Sequence, residues 1–356
     1  MSKSNSVSLP WLCIWPTNEL ENIKICPVCG SSKRNVLYNN LIDITFLMAP
    51  GLWTLKSCGA CHSAYLDPRP NQESIGKAYN TYYTHKCGAD QTKLADLGLF
   101  RRLRRMLANG YLNNRYGAKR EPSLNLGVWL VKLLPRQSSI LDMQYRYLPK
   151  PIQGQALLDI GCGNGDFLFN AREAGWVVSG VEPDMMAVEI AQKRGLNVVL
   201  GTIDYLALQS NCFDAITLSH VIEHVHDPMK LLQAINRLLK TDGIVYIDTP
   251  NIQSVGAQLF RNSWRGIEAP RHLVIFSTEG LVKLLSLTGF CNVDIKRRTD
   301  VQKGMCASSE RIDGVSSSYG FKSNKLGWLS NLKMRFFFPK TKNLEYITLT
   351  AKKRKN

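Results

Sequence analysis

Short apolar blocks alternate with amphipathic stretches through the second half of the chain. Leu157-Leu158-Asp159-Ile160, Trp176–Val181, Asp214–Leu218 and Ile244–Thr249 each read as a buried strand. Helix-period segments fall between them, so the pattern predicts an α/β fold built on a doubly wound, mostly parallel sheet. A helix over Ser277–Leu287 leads to a strand near Asn292–Lys296, and the alternation in Tyr346–Ala351 suits an antiparallel last strand. Toward the N-terminus the pattern changes. Asn35–Tyr38 and Leu52–Lys56 read as a strand pair, and helical spacing follows in Leu94-Leu97-Phe100-Leu103 and Val128–Leu134, broken near Asn109-Gly110. The chain therefore divides into a tail (1–20), a small module (21–75), a helical connector or lid (76–150), a large domain (151–351) with an insertion at 299–341, and a basic tail (352–356). Within the insertion Ser308–Ser318 reads as mobile, whereas Leu326–Phe338 is amphipathic and basic, suited to capping a substrate or touching a membrane.

The first strand of the large domain runs straight into Gly161, Gly163 and Gly165, and a helix pattern starts at once. A strand that turns this tightly into a helix brings backbone close to a small ligand. Charge narrows the ligand. A pyrophosphate wants a bare helix N-terminus, but Asp159 precedes the glycines and Asp166 follows them, which favours a cation. S-adenosylmethionine carries a sulfonium and an ammonium. The next strand ends in Glu182, about twenty residues on, where a carboxylate can accept both ribose hydroxyls.

From about Gln155 to Lys296 the chain resembles the class I S-adenosylmethionine-dependent methyltransferases, whose successive motifs stand here as LLDIGCGNG (157–165), VSGVEPD (178–184), FDAITLSHVIEHVHDP (213–228) and GIVYIDTPN (243–251). The resemblance implies a Rossmann-like seven-stranded methyltransferase sheet. It implies that Asp159, Gly161, Gly163 and Gly165 hold the methionine part of the cofactor and Glu182 the ribose. Relatives often carry Gly-Asp before the adenine pocket, whereas this chain reads Gly201-Thr202-Ile203, so Thr202 and Ile203 are expected to wall the ring.

Ten cysteines raise the question of disulfides, yet four of them fall in two CxxC knuckles, Cys26/Cys29 and Cys58/Cys61, separated by 28 residues. Thiolates at this spacing can converge on Zn²⁺, and four sulfur ligands leave no open position, so the expected zinc is structural. Cys61-His62 also completes a haem-attachment pattern, which the second knuckle argues against. Cys13, Cys87, Cys162, Cys212, Cys291 and Cys306 show no pairing logic and read as reduced thiols. The ribbon, the tract Ala64–Pro70, and Tyr79, Tyr82, Tyr83 and His85 resemble a bacterial methyltransferase subgroup with an N-terminal four-cysteine zinc ribbon. Its members are often associated with sugars or surface-polysaccharide precursors.

Methyl transfer needs an acceptor placed in line with the sulfonium, and a hydroxyl or carbon acid also needs a base. Strand Asp214–Leu218 delivers Ser219 and His220 to the carboxyl edge of the sheet, which makes Ser219 a cofactor neighbour and His220 a candidate base. His272 is the second candidate, in a loop bounded by Gly266 and Pro270 that also holds Arg271, which could bind an anion or pair with Glu268. His220, Glu223 and His224 fall at helical spacing and resemble the Glu-x-x-Glu-His metal motif of ubiquinone-pathway O-methyltransferases, with His220 in place of the first acid.

Charge is uneven. Residues 1–155 carry a net +11, residues 156–250 carry −6, and residues 251–356 carry +12, with Arg101, Arg102, Arg104 and Arg105 the densest basic cluster. Such flanks suit an anionic substrate, nucleic acid or an anionic membrane face. The expected function is methyl transfer to a small-molecule or glycan-type acceptor. An RNA methyltransferase is the alternative enzyme, set against the lack of an aromatic-interleaved basic tract. A zinc-ribbon interaction protein with a ligand-binding methyltransferase fold is the non-enzyme reading. The N-terminus lacks a signal-peptide pattern and no apolar run is long enough to span a bilayer, which points to the cytoplasm.

Overall fold

A computed structural model describes residues 12–79, 98–298, 300–318 and 343–355. The N-terminal module contains β1 (Leu20–Glu21), β2 (Arg34–Leu41), β3 (Trp53–Cys58), β4 (Ala64–Leu66) and β5 (Arg69–Pro70). Three helices follow: α1 (Leu99–Tyr116), α2 (Gly127–Lys132) and α3 (Pro135–Met143). The large domain then runs β6 (Ala156–Ile160), α4 (Asp166–Glu173), β7 (Val177–Glu182), α5 (Met185–Lys193), β8 (Val198–Leu200), β9 (Phe213–Ser219), α6 (Pro228–Leu238) and β10 (Leu239–Pro250). It closes with α7 (Val255–Phe260), β11 (Val274–Ile275), α8 (Thr278–Leu287), β12 (Phe290–Lys296), α9 (Gln302–Ser318) and β13 (Tyr346–Lys353).

Seven strands form the central sheet in the order β12-β13-β10-β9-β6-β7-β8. Strands β10, β9, β6, β7 and β8 are parallel, while β13 is antiparallel to both β10 and β12. This is the Rossmann-like α/β methyltransferase fold. Strand β6 is buried on both faces: Leu158 and Ile160 join the core under α6 and α8, and Leu157 joins the opposite core under α1, α3 and α4. A strand covered on both sides must be a continuous apolar run, which is why Leu157–Ile160 is conspicuous in sequence. The chain reverses its winding at β6, with β7 on one side and β9 on the other, so a crevice opens at its carboxyl end.

The N-terminal module is joined to this domain through a second sheet of order β11-β4-β3-β2. Val274 and Ile275 of β11 pair antiparallel with Tyr65 and Ala64 of β4. Cys26, Val28, Cys58 and Tyr65 share a core with Leu273, Leu281 and Leu284. Among the described residues, no helix is long and apolar enough to cross a membrane.

Three sequence expectations need correction. Asn109-Gly110 is no break, because α1 runs through it without interruption. A Cβ on Gly110 would sit 1.9 Å from the carbonyl oxygen of Leu124, so the glycine permits backbone contact between α1 and the chain entering α2. Ser308–Ser318 lies in α9, whose buried positions Met305, Ser309, Ile312 and Ser316 recur at helical spacing. Serines on the buried face disguise it as a loop; Ser309 Oγ accepts from Arg265 N at 3.0 Å, and Ser263 Oγ donates to Asp313 at 2.8 Å. Glu223 and His224 belong to a single 3-10 turn, and α6 starts only at Pro228, capped by Asp227. Leu94, Leu97, Tyr82, Tyr83, His85 and Leu326–Phe338 lie outside the described residues.

Candidate active site

The crevice beyond β6 is shaped by its glycines. All three have positive φ, but for different surroundings. A Cβ on Gly161 would lie 2.5 Å from Val221 Cγ2, and one on Gly165 would lie 2.3 Å from Leu196 Cδ1. Nothing lies within 4 Å of the corresponding point on Gly163. Two of the glycines are thus required by packing, and the third opens onto free space that a ligand can approach.

Asp159, at the end of β6, is fully buried. Its Oδ1 pairs with Arg146 Nη1 and accepts from Thr217 Oγ1 at 2.8 Å, while its Oδ2 is buried without a hydrogen-bond partner. Burial pushes the carboxyl up from its ordinary range and Arg146 opposes that shift. An unpartnered buried carboxylate oxygen fits a cationic ligand group. Arg146 escapes a reading of motifs because it precedes the glycine segment. Its guanidinium stacks 3.8 Å over the Phe167 ring and donates to Thr217 Oγ1 at 2.7 Å. Arg146 and Thr217 therefore engage Oδ1 alone.

Glu182 bends back over the same turn. Its Oε2 accepts from Gly163 N at 2.8 Å and its Oε1 from Asp184 N at 3.0 Å. Burial raises its pKa, and those two amides oppose the shift. Thr202 is exposed and caps the 3-10 turn that begins at Ile203, whose side chain is buried in the core. Ser219 ends β9, partly buried.

A cavity of about 470 Å³ opens beside this crevice, lined in part by His220, His224, His272, Glu268, Arg265 and Tyr346. His220 and His272 therefore face one space, although 52 positions separate them in sequence. Their environments differ. His220 Nδ1 lies 3.3 Å from Glu223 Oε1 and its Nε2 lies 3.5 Å from Asp248 Oδ2. Burial works against protonation there, but the two carboxylates more than offset it and raise the pKa of His220. His272 is buried, with Nδ1 donating to Gly266 O at 2.8 Å. Burial lowers its pKa from 6.5 to about 4, leaving a neutral ring with its lone pair on Nε2.

Arg271 follows the second of the two readings the sequence offered, pairing with Glu268. Its side chain is fully buried, paired with Asp43 and, at 3.2 Å, with Glu268 Oε1, and it donates to Ala78 O at 2.9 Å. With its donors committed inside the protein, Arg271 anchors the loop instead of binding a substrate anion. Asp43 lies in the N-terminal module, and no spacing in the sequence connects it to this loop. The carbonyl of Arg271 in turn accepts from His224 Nδ1 at 3.0 Å.

Among the described residues, two clusters could hold metal. The sulfurs of Cys26 and Cys61 are 3.7 Å apart, those of Cys29 and Cys58 are 3.6 Å apart, and all four lie within 4.8 Å of one another. Bonds of about 2.3 Å to a tetrahedral zinc imply edges of about 3.8 Å, so this donor set fits the ion. Glu223, His224 and His272 also bring one donor atom each within 4.8 Å. His220 lies outside that set, engaged instead by Glu223 and Asp248, so the helical spacing in sequence does not mark out the cluster that forms.

Residues 136–295 match the family model described as a methyltransferase domain. The match spans less than half of the chain. A ubiquinone biosynthesis O-methyltransferase of Haemophilus ducreyi is 32% identical over 110 residues, covering 28% of this chain and 46% of that protein. Another from Coxiella burnetii is 25% identical over 186 residues, covering 46% of this chain and 80% of that protein. The chain spans about half the length of the first of these relatives. A methyltransferase from Archaeoglobus fulgidus aligns at a TM-score of 0.42 and 22% identity, over 64% of this chain and 99% of that one.

The methyltransferase domain should report its histidine pocket through acid stability. His272 titrates at about 4 in the fold against 6.5 ordinarily, so below pH 6.5 the unfolded chain takes up the proton first. The stability tied to a neutral His272 is complete above 6.5 and is lost as the pH falls toward 4. Glu223, lowered to about 2 despite burial by the hydrogen bond to His220 and the neighbouring histidines, and Glu268, lowered to about 2 despite burial by His272, Arg265 and Arg271, add a further loss below 4.5. Urea midpoints should fall between pH 7.5 and 4.5 in the wild type and fall less in His272→Gln. Equal slopes would contradict the assignment.

Proposed function

We propose that the chain transfers a methyl group from S-adenosylmethionine to a small-molecule acceptor bound in the histidine-lined cavity. The observations that carry this reading are the buried Oδ2 of Asp159, unpartnered among the described residues, and the open space at Gly163 in the turn that follows the same strand. When bound, S-adenosylmethionine supplies an electrophilic methyl group. Asp159, steadied by Arg146 and Thr217, receives the ammonium of the methionine part. Gly161, Gly163 and Gly165 let the backbone lie close, Glu182 accepts the ribose hydroxyls, and Thr202, Ile203 and Ser219 border the rest. His272, neutral and with Nε2 free of backbone partners, takes the acceptor's proton, and Glu268 Oε2 at 3.8 Å stabilises the imidazolium that results. His220, whose charge two carboxylates favour, orients the acceptor.

The relatives' names favour an oxygen acceptor on a small molecule. The zinc-ribbon resemblance favours a sugar or surface-polysaccharide precursor, and a hydroxyl on such a precursor satisfies both. Four converging cysteine sulfurs support a structural Zn²⁺ that holds the knuckles against α8. The free thiols among the described residues support a reducing compartment such as the cytoplasm.

Calorimetry should give low-micromolar or tighter binding of S-adenosylmethionine and its demethylated product. Glu182→Ala and Gly163→Val should each weaken it strongly, and His272→Ala should leave it intact while lowering turnover about 10²- to 10⁴-fold. No heat with either ligand would defeat the proposal; full turnover in His272→Ala would remove its base.

Elemental analysis of the purified chain should find about one zinc per molecule, released by Cys29→Ser with loss of thermal stability. A well-folded preparation free of zinc would refute the metal assignment.

A further inference from the structure

The first two turns of α1 are solvent-exposed on every side, from Gly98 through Arg105. Leu99, Phe100 and Leu103 fall on one arc of the helix, and Arg101, Arg102, Arg104 and Arg105 fall on the opposite one. This is an amphipathic helix end with its apolar arc left in solvent: Leu99 is 85% exposed and Phe100 is 80% exposed. Helix α2 packs against α1; just before it Leu124 N donates to Met106 O, and Arg104 donates to Gln137 of α3 at 2.8 Å. Helix α2 adds Trp129, 71% exposed, and Leu133, 76% exposed. Lys132 Nζ lies 5.9 Å over the Trp129 ring.

Soluble domains seldom leave large apolar side chains clustered in water, and this cluster is set in positive charge. Residues 98–136 hold nine Lys or Arg and a single acid, Glu121. Protruding Leu, Phe and Trp ringed by cations match an anionic bilayer, where apolar tips enter the acyl boundary and guanidinium groups meet the headgroups. We propose that the exposed ends of α1 and α2 form a docking surface for an anionic lipid membrane. The helices are tied to the candidate site through α3. Ser139 Oγ donates to Arg297 O at 3.0 Å, and the next residue, Arg298, pairs with Asp248, the carboxylate beside His220. On the methyl-transfer reading, docking brings the cavity to acceptors held at the membrane; the docking itself stands apart from that reading.

The test is co-sedimentation of the full chain with phosphatidylcholine vesicles, with and without about one third phosphatidylglycerol. Binding should require the anionic lipid and weaken with salt. Arg101→Gln with Arg102→Gln should lower the partition constant about 25-fold, at about 5-fold per cation. Phe100→Ser with Trp129→Ser should lower it at least 10-fold, even at low salt. These side chains are exposed, so unchanged circular dichroism melting confirms folding in each variant. Equal partition to both vesicle types, or wild-type partition in the variants, would overturn the proposal. So would a concentration-dependent dimer that Phe100→Ser dissolves, which would make the patch an interface between copies. Competition by free inorganic phosphate with no vesicle binding would reduce the site to an anion-binding cluster and also overturn it.

Discussion

The buried guanidinium of Arg271 connects the parts of this protein that sequence keeps apart. It is paired with Asp43 from the N-terminal module and Glu268 from the loop, and its carbonyl holds His224. The next residue is His272. Two charges withdrawn from water cost several kcal/mol, recovered only when geometry and hydrogen bonds are complete; removing one partner of such a pair costs about 3–5 kcal/mol. Here the cation meets two carboxylates and the Ala78 carbonyl, so the pair is satisfied. The four-cysteine module and the histidine pocket thus depend on the same contact. The β4–β11 pairing reinforces it from the side of the sheet.

That base supports two histidines whose pKa values move in opposite directions. Glu223 and Asp248 surround His220, whereas His272 is turned into a drier pocket by Gly266 and Glu268. Separate environments push the two pKa values apart, a pattern that divides proton-accepting from charge-bearing roles. The cofactor side follows a similar rule. Asp159 has one strong partner in Arg146, and among the described residues its second oxygen has none.

Much of the fold was legible because parallel strands covered on both faces carry mostly apolar centres, as Leu157-Leu158 in β6, Ala215-Ile216 in β9 and Ile244–Ile247 in β10 do. The glycine turn was legible for a related reason, since positive φ at Gly161, Gly163 and Gly165 leaves little choice of residue. The cysteines announced themselves by spacing. What stayed hidden depends on distant partners. Asp43 is one acid in an unremarkable stretch until Arg271 meets it across 228 positions. Arg146 precedes every motif. Helix α9 buries serines, which composition assigns to loops, and β11 is two residues long and gains its identity only by pairing with β4.

The most direct measurement is a crystal structure of the chain with S-adenosylhomocysteine, the demethylated form of the cofactor. The amino group should lie within hydrogen-bond distance of Asp159 Oδ2, the ribose on Glu182, and the sulfur toward the cavity shared by His220 and His272. A ligand bound elsewhere, or one whose sulfur faces away from both histidines with Asp159 Oδ2 still unpartnered, would contradict the account.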